Sequence, residues 1–226
     1  MSVGSTPRDS GNIPLGCVLV PGDTTPQALQ GGAEFTDANS NISAPARMEI
    51  TAASKATYAA GAVGLALAAT PTNIATLTGS ATKLVKLLRE GLSLQCSALG
   101  VSMLDVLLQK FSSALTGGTP VALTMTPMDS NNPVVTALAQ NWTANSTGGG
   151  ALVGNIQAAK IIPQFLGPMT ATDFPQQPMP QIVWDFAGAI QPPTLRTAAQ
   201  VLSINLNGGT LVATTTYDVF MVWSEE

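Results

Sequence analysis

Apolar and polar residues alternate with a period of two along much of this chain, and the pattern is clearest between Gln200 and Trp223. A period of two places successive side chains on opposite faces of a strand, so it predicts β-structure. Two alternating runs flank Asn207-Gly208, a dipeptide that tolerates the positive φ of tight turns. The sequence therefore predicts a β-hairpin, with one apolar side formed by Leu202, Ile204 and Leu206 in the first run and by Val219, Met221 and Trp223 in the second.

A leucine-rich stretch, residues 83–115, fits a strand pattern and a helical pattern. Its apolar residues satisfy a helical stripe, and propensity alone favours two helices. However, Gly91 and Gly100 interrupt the stretch, no capping box precedes either run, and both flanking regions have β-type patterns. We therefore predict strands in which Val85 and Leu87 point inward. One or two short helices are the alternative.

Turn signals rich in Gly, Pro, Asn and Asp separate these runs at intervals of roughly eight to fifteen residues, a spacing typical of all-β sandwiches and jelly rolls. The predicted fold class is therefore all-β, a jelly-roll-like β-sandwich that occupies residues 51–226. A chain of 226 residues is long enough to bury one such core.

Residues 1–50 differ from the rest of the chain because prolines recur among Gly, Thr, Asn and Gln. Prolines at such intervals disfavour helix and favour extended backbone. Ile13–Val20 is apolar enough to lie on another surface, so we predict an extended Pro-rich N-terminal arm, with a disordered terminus as the alternative. The candidate assembly contacts of this arm are Ile13, Leu15, Val18, Leu19 and Val20.

Charged residues make up only 10% of the chain, against about 25% in ordinary globular domains. A lone monomer would need a more charged surface, so we expect other subunits to cover part of it. The net charge is −4 and the nine Lys and Arg are scattered, so nucleic acid is not an expected partner. The N-terminus lacks a secretory-signal layout and no apolar run could span a membrane, which predicts a cytoplasmically made product without a membrane partner.

Residue types that support catalysis or bind metals are scarce. The chain has no histidine, and histidine is the commonest general base and transition-metal ligand. No calcium-binding loop is formed by the aspartates Asp105, Asp129, Asp173, Asp185 and Asp218, which do not cluster. Gly148-Gly149-Gly150 lacks the Lys-Ser/Thr of a phosphate-binding loop. We therefore predict no enzymatic activity, no metal and no cofactor. Glu225 and Glu226 are expected to be a solvated pair.

The cysteines and tryptophans have structural interpretations. Cys17 and Cys96 lack the spacing of a zinc site, so two buried free thiols are favoured over a disulfide. Three tryptophans lie in alternating runs, where a Trp fills the core more often than it forms a sugar-stacking platform. They are Trp142, Trp184 and Trp223.

A series of short segments resembles a group of small phage and prophage-encoded proteins. In order, the segments are Gly79–Lys83, Asp129–Pro133, Val183–Phe186, Ala199–Gly208 and Val222–Glu226. The match spans residues 57–226 and leaves the first fifty residues outside it. The resemblance implies a virion-associated β-sandwich protein, and it carries over no catalytic residues.

Together these patterns predict a bacteriophage virion structural protein, a capsid decoration (cement) or minor capsid protein. It would be made in the host cytoplasm, reside in the virion, form a homotrimer and grip neighbours such as the major capsid protein with its arm. The alternative is a carbohydrate- or receptor-binding module of a tail or fibre, with Trp142 or Trp184 exposed. A third, weaker hypothesis is a hydrolase that uses Asp105, Asp129 or Asp185.

Overall fold

A computed structural model describes residues 55–98, 100, 102–165, 181–188 and 191–226, and four two-residue strands nearer the N-terminus. The chain divides into two compact units, Met1–Thr51 and Ala52–Glu226. In the first unit, β1 (Cys17–Val18) pairs with β2 (Gln27–Ala28), and β3 (Phe35–Thr36) pairs with β4 (Ile42–Ser43), both antiparallel. The rest of the predicted arm lies outside the described residues.

The described part of the second unit consists of strands and their connections. In chain order these are β5 (Ala56–Ala66), β6 (Asn73–Thr78), β7 (Val85–Cys96), β8 (Leu104–Phe111), β9 (Thr119–Ala122), β10 (Met125–Pro127), β11 (Leu138–Ala144), β12 (Leu152–Ile161), β13 (Gln164–Phe165), β14 (Gln181–Asp185), β15 (Thr194–Leu195), β16 (Val201–Asn205) and β17 (Thr216–Glu225). The prediction of strands rather than helices in residues 83–115 is confirmed. No helix in the described ranges is long and apolar enough to cross a membrane.

The strands form two sheets. Sheet A has the order β10-β5-β17-β7, and β13, β14 and β15 share the remaining edge of β7. Sheet B has the order β12-β8-β16-β6-β11-β9. Every pairing is antiparallel except the short parallel contact of β13 with β7.

The order of eight of these strands is that of a jelly roll. β5-β17-β7-β14 form one sheet, and β6-β16-β8-β12 form the other. Successive strands of the eight cross between the sheets and return beside earlier strands, except β8 and β12, which pair within sheet B, and this is the pattern of two Greek keys. β9, β10 and β11 lie between β8 and β12 in the chain and extend both sheets at the opposite side. The predicted jelly-roll-like sandwich is confirmed.

The predicted hairpin between Gln200 and Trp223 is wrong, although its turn is placed correctly. Asn207 and Gly208 have φ values of 55° and 65°. However, β16 lies between β6 and β8 in sheet B, whereas β17 lies between β5 and β7 in sheet A. The connection 206–215 is long enough to carry the chain from one sheet to the other, and each strand gains two neighbours instead of one.

The core lies between the two sheets, and β17 supplies its largest side chain. Alternate residues of β17 are buried, ending in the fully buried Trp223, whose ring stacks on Tyr58 of β5 with centroids 6.1 Å apart. The Tyr217 hydroxyl donates a 2.7 Å hydrogen bond to the Ile74 carbonyl of β6, which joins sheet A to sheet B. Val85 and Leu87 of β7 are fully buried, as predicted.

Glu225, near the end of β17, is buried rather than solvated, so that prediction is wrong. Its carboxylate accepts hydrogen bonds from the Thr136 backbone N–H (3.0 Å), the Thr136 hydroxyl (2.7 Å) and the Ala137 N–H (2.9 Å). The Lys83 ammonium lies 3.4 Å from it. Because Thr136 and Ala137 lead directly into β11, the carboxylate ties the end of sheet A to sheet B.

The hydrogen bonds determine the protonation state of Glu225. Burial alone would raise its pKa, but the donors on Thr136, Ala137 and Trp223 outweigh burial and lower the pKa below its usual value. Glu226 is paired instead at the surface, with Lys55 and Lys86 each 2.6 Å away. The two adjacent glutamates therefore have different roles, one as an internal anchor and the other as a partly exposed ion-pair partner.

Glu90, in the middle of β7, is a second buried carboxyl group. It lies in register with Met221 of β17 and Trp184 of β14. It is only 2% exposed, and its Oε2 has no hydrogen-bond partner among the described residues. Burial raises the pKa of Glu90 to about 8, so the group is mostly protonated at neutral pH.

We expect Glu225→Gln to cost about 1–3 kcal/mol of unfolding free energy at neutral pH, because an amide nitrogen would face backbone donors. The folded-state pKa of Glu225 is lowered, so its stabilisation is present above the unfolded pKa and is lost as pH falls through the folded pKa. The acid limb of the stability profile should therefore flatten in the variant. Urea unfolding, followed by tryptophan fluorescence from acid to neutral pH, measures both effects.

The matched control is Glu226→Gln, the same substitution one residue later. Its partners are surface lysines, so a change of about 0–1 kcal/mol is expected. Equal losses in the two variants would contradict the anchoring role of Glu225.

We expect Glu90→Gln to stabilise the protein increasingly as pH rises. The folded-state pKa is about 8 and the reference value is 4.5, so wild-type stability should fall as pH rises between those values and level off above them. The difference reaches a few kcal/mol, on the order expected from a shift of this size. Urea midpoints at acid, neutral and alkaline pH test this, and an unchanged profile in the variant would show that Glu90 does not titrate in this range.

Candidate functional site

The predicted assembly contacts of the N-terminal arm are mostly outside the described residues. Ile13, Leu15, Leu19 and Val20 lie there. Val18 belongs to β1, where its backbone is in register with Gln27. Their role in assembly stays a prediction.

Two of the three tryptophans are buried in the sandwich, and the third is half-buried. Trp142 is 4% exposed, and its indole N–H donates a 3.0 Å hydrogen bond to the Thr76 hydroxyl. Trp223 is fully buried, whereas Trp184 is half-buried and packs against the core. The structural interpretation is confirmed for Trp142 and Trp223, and an exposed Trp142 platform is excluded.

The described aspartates occupy separate places. Asp129 caps a turn by accepting from the Asn131 N–H at 2.9 Å. Asp185 accepts from the Ala187 N–H at 2.9 Å and lies 3.8 Å from Arg89. In the part of the chain that the structure describes, no three metal-ligating side chains come together. Asp173 lies outside that part.

Cys96 is a free thiol, buried at the end of β7. Burial raises its pKa, which reduces the fraction of reactive thiolate. The free-thiol prediction is confirmed for Cys96, and the side chain of Cys17 lies outside the described residues.

On the outer face of sheet A, the ring of Phe220 packs over a glycine of the neighbouring strand. Phe220 of β17 is in register with Gly61 of β5 and Gly91 of β7. A Cβ at Gly91 would stand 2.2 Å from the Phe220 ring, so the missing side chain makes room for the ring. The guanidinium of Arg89 lies 5.8 Å from the ring centroid. The Phe220 ring therefore packs over Gly91 and lies beside the Arg89 guanidinium.

A pocket of about 400 Å³ opens beside this ring. Asp218 contributes a carboxylate whose Oδ1 accepts from the Gly64 N–H at 2.7 Å and whose Oδ2 accepts from the Ser93 hydroxyl at 3.2 Å. A carboxylate has about four acceptor sites, so it can accept further hydrogen bonds. Apolar walls with a few polar groups are typical of small-ligand pockets. The other lining residues include Gly61, Val63, Gln181 and Phe220.

The edge strands at one side of the sandwich are protected. β9 (Thr119–Ala122) and β10 (Met125–Pro127) are short, and each contains a proline, Pro120 and Pro127 respectively. Short length and proline both hinder the addition of another strand.

The edge strand β12, at the other end of sheet B, is less protected. It has 10 residues, no proline and one charged residue, Lys160. Among the described residues β12 pairs with β8 only. Leu152 and Val153 at its start are 54% and 63% exposed, and Ile162 just after it is 44% exposed. β12 is therefore a long, largely uncharged edge.

The single charge on β12 is neutralised locally. The Lys160 ammonium bonds to the carboxylate of Asp105 on β8, and the Asn207 amide also donates to this carboxylate at 3.3 Å. The hydrogen bond from Lys160, followed by that from Asn207, lowers the pKa of Asp105. This ion pair lies at the surface, so it contributes local neutrality rather than stability.

The sequence of β12 lacks the residues that usually protect an edge strand, but sequence alone does not show that β12 is an edge. The run Leu152–Ile161 is strand-like, lacks proline and has a single charged residue. Edge strands normally contain prolines or charged residues that hinder pairing with another chain. Only the pairing of β12 with β8 identifies the run as an edge.

No protein-family model, no curated protein and no solved structure matches this chain. The fold and its surfaces therefore carry the functional conclusion.

Proposed function

We propose that this protein is a structural subunit of a bacteriophage particle, a capsid decoration (cement) or minor capsid protein that stabilises the particle through oligomeric contacts. The observation that carries this proposal is a charge-poor jelly roll with a long edge strand, β12, that the described residues leave unprotected. Such an edge is stable in solution when another chain covers it.

The fold supports the proposal by analogy. Jelly rolls recur in viral capsid proteins and also in lectins and cupins, so the fold alone does not determine the function. The resemblance of segments such as Val183–Phe186 and Ala199–Gly208 to phage and prophage-encoded proteins favours the virion among these.

The surface supports more than one contact. Val134 is 86% exposed and Met128 is 65% exposed, both in the loop after β10, whereas Leu152 and Val153 lie on β12. Apolar groups in separate places suit a subunit that meets copies of itself and other virion proteins, such as the major capsid protein. We propose a homotrimer as the basic assembly, with the N-terminal arm gripping a neighbour.

We expect the full chain to behave in solution as a trimer or as a multiple of trimers. Size-exclusion chromatography with light scattering measures this mass. A version that starts at Ala52 should form a smaller or more weakly associated species if the arm grips neighbours. Circular dichroism on the shortened version provides the control for folding.

The composition of purified virions provides the decisive test of the structural role. Mass spectrometry of purified virions, from the phage or induced prophage that encodes the chain, should detect it at many copies per particle. Virions without the chain would refute the structural role, and monomeric behaviour of both versions would refute the proposed trimer.

A second candidate function, carbohydrate or receptor binding on a tail or fibre, is favoured by the pocket beside Phe220. An aromatic wall next to the carboxylate of Asp218 and the amide of Gln181 suits a sugar, which presents apolar faces and hydroxyl groups.

On this second function, glycan-array binding by the wild type should be lost in Phe220→Ala and reduced in Asp218→Asn. Asp129→Asn, which changes a turn-capping aspartate elsewhere, is the matched control and should bind normally. Absence of binding to any glycan would remove this candidate.

A further inference from the structure

We propose that β12 pairs antiparallel with β12 of a second copy of this chain, so that sheet B continues from one subunit into the next across a two-fold axis. This inference rests on the proposed function as an assembly subunit and names the contact and the partner. With the threefold contact also present, the β12 contact joins two trimers.

The backbone of β12 is suited to this pairing over part of its length. Its register with β8 shifts between Leu152 and Gly154 and again between Asn155 and Gln157. From Gln157 to Ile161 the register is regular. Bulges twist an edge away from partners, whereas a regular segment presents its free N–H and C=O groups in line. The second half of β12, from Gln157 to Ile161, is therefore the segment that pairs with the second copy.

The side chains of this half are self-complementary. Antiparallel pairing centred on Ala159 places Ala159 opposite its own copy and Ala158 opposite Lys160 of the partner subunit. Gln157 then faces Ile161 of the partner subunit, and no like charges are opposed. Small alanines at the centre allow close approach, and Lys160 is already bonded to Asp105 within its own subunit. Directly opposed like charges would oppose such pairing.

The charge of the edge favours a second copy over a charged partner. Lys160 and Asp105 neutralise each other, so the edge offers no net charge to recruit a basic or acidic protein. The prolines of β9 and β10 block the same kind of pairing at the other side of the sandwich. A contact of β12 with its own copy is isologous, so it joins two subunits as a closed pair rather than as an open chain.

The first test is Ala158→Lys in the full chain, because each added lysine would oppose Lys160 of the partner subunit. Ala81→Lys is the matched control, the same substitution at an exposed alanine in the connection between β6 and β7. Light scattering should give a wild-type mass twice that of Ala158→Lys, with association weakened about tenfold or more. Ala81→Lys should keep the wild-type mass. An odd-numbered wild-type oligomer, or equal masses in wild type and Ala158→Lys, overturns the inference.

The second test does not depend on the stability of a charged variant. Ala159→Cys places thiols opposite each other across the axis, close enough for a disulfide. Mild oxidation should give a dimer linked from residue 159 to residue 159, identified by mass spectrometry of the linked peptides, whereas Ala81→Cys, at an exposed alanine between β6 and β7, should give none. The unmodified chain, with Cys17 and Cys96, measures the background. A link from residue 159 to Cys17 would mean that the arm occupies the edge, and that result overturns the inference, as does the absence of any link.

The outcomes separate this inference from the proposed function. A plain trimer that is present in virions but forms no 159–159 link refutes the β12 contact and leaves the structural role standing. A chain that forms the link but is absent from virions refutes the structural role and leaves the β12 contact standing.

Discussion

The position of β17 at the centre of sheet A is the constraint on which the rest of the sandwich depends. This strand pairs with β5 on one side and with β7 on the other, so the end of the unit is bonded to its beginning. The Trp223 ring stacks on Tyr58, and the Glu225 carboxylate binds the segment before β11. Because these contacts join residues far apart in the chain, sheet A is not complete until β17 is in place, a topology associated with slow folding.

Two buried glutamates show how the same side chain is accommodated in opposite ways. Glu225 has backbone and hydroxyl donors aimed at its oxygens, which favours the charged form and lowers its pKa. Glu90 has a buried oxygen without a partner among the described residues, so desolvation dominates and raises its pKa. Both residues are nearly inaccessible to solvent, and the donors around the Glu225 carboxylate distinguish it from Glu90. The first group strengthens the link between the sheets, whereas the second is a cost at neutral pH.

The surface connects the low charge of the chain to its proposed role. With 10% charged residues, few lysines are left to protect edges, and proline takes that role in β9 and β10. β12 has neither kind of protection beyond Lys160, which Asp105 holds. The same scarcity of charge would be unfavourable for an isolated protein and is suitable for a subunit whose surface is covered in an assembly. The pocket beside Phe220 is separate from β12, so a ligand there and a partner at the edge would not compete for the same residues.

The sequence by itself determined the fold class, the strands in residues 83–115 and the burial of alternate residues in β17. These are local properties, since a period of two, frequent turn residues and interrupting glycines act over a few positions. It did not determine which strands are neighbours. Alternation looks the same whether β16 and β17 pair with each other or lie in opposite sheets, so the hairpin was wrong although Asn207-Gly208 does turn. The sequence also did not predict the burial of Glu225, because its donors on Thr136 and Ala137 are distant in sequence. They meet the carboxylate only when the two sheets pack. The edge position of β12 and the pocket beside Phe220 arise from strand order, which long-range pairing decides.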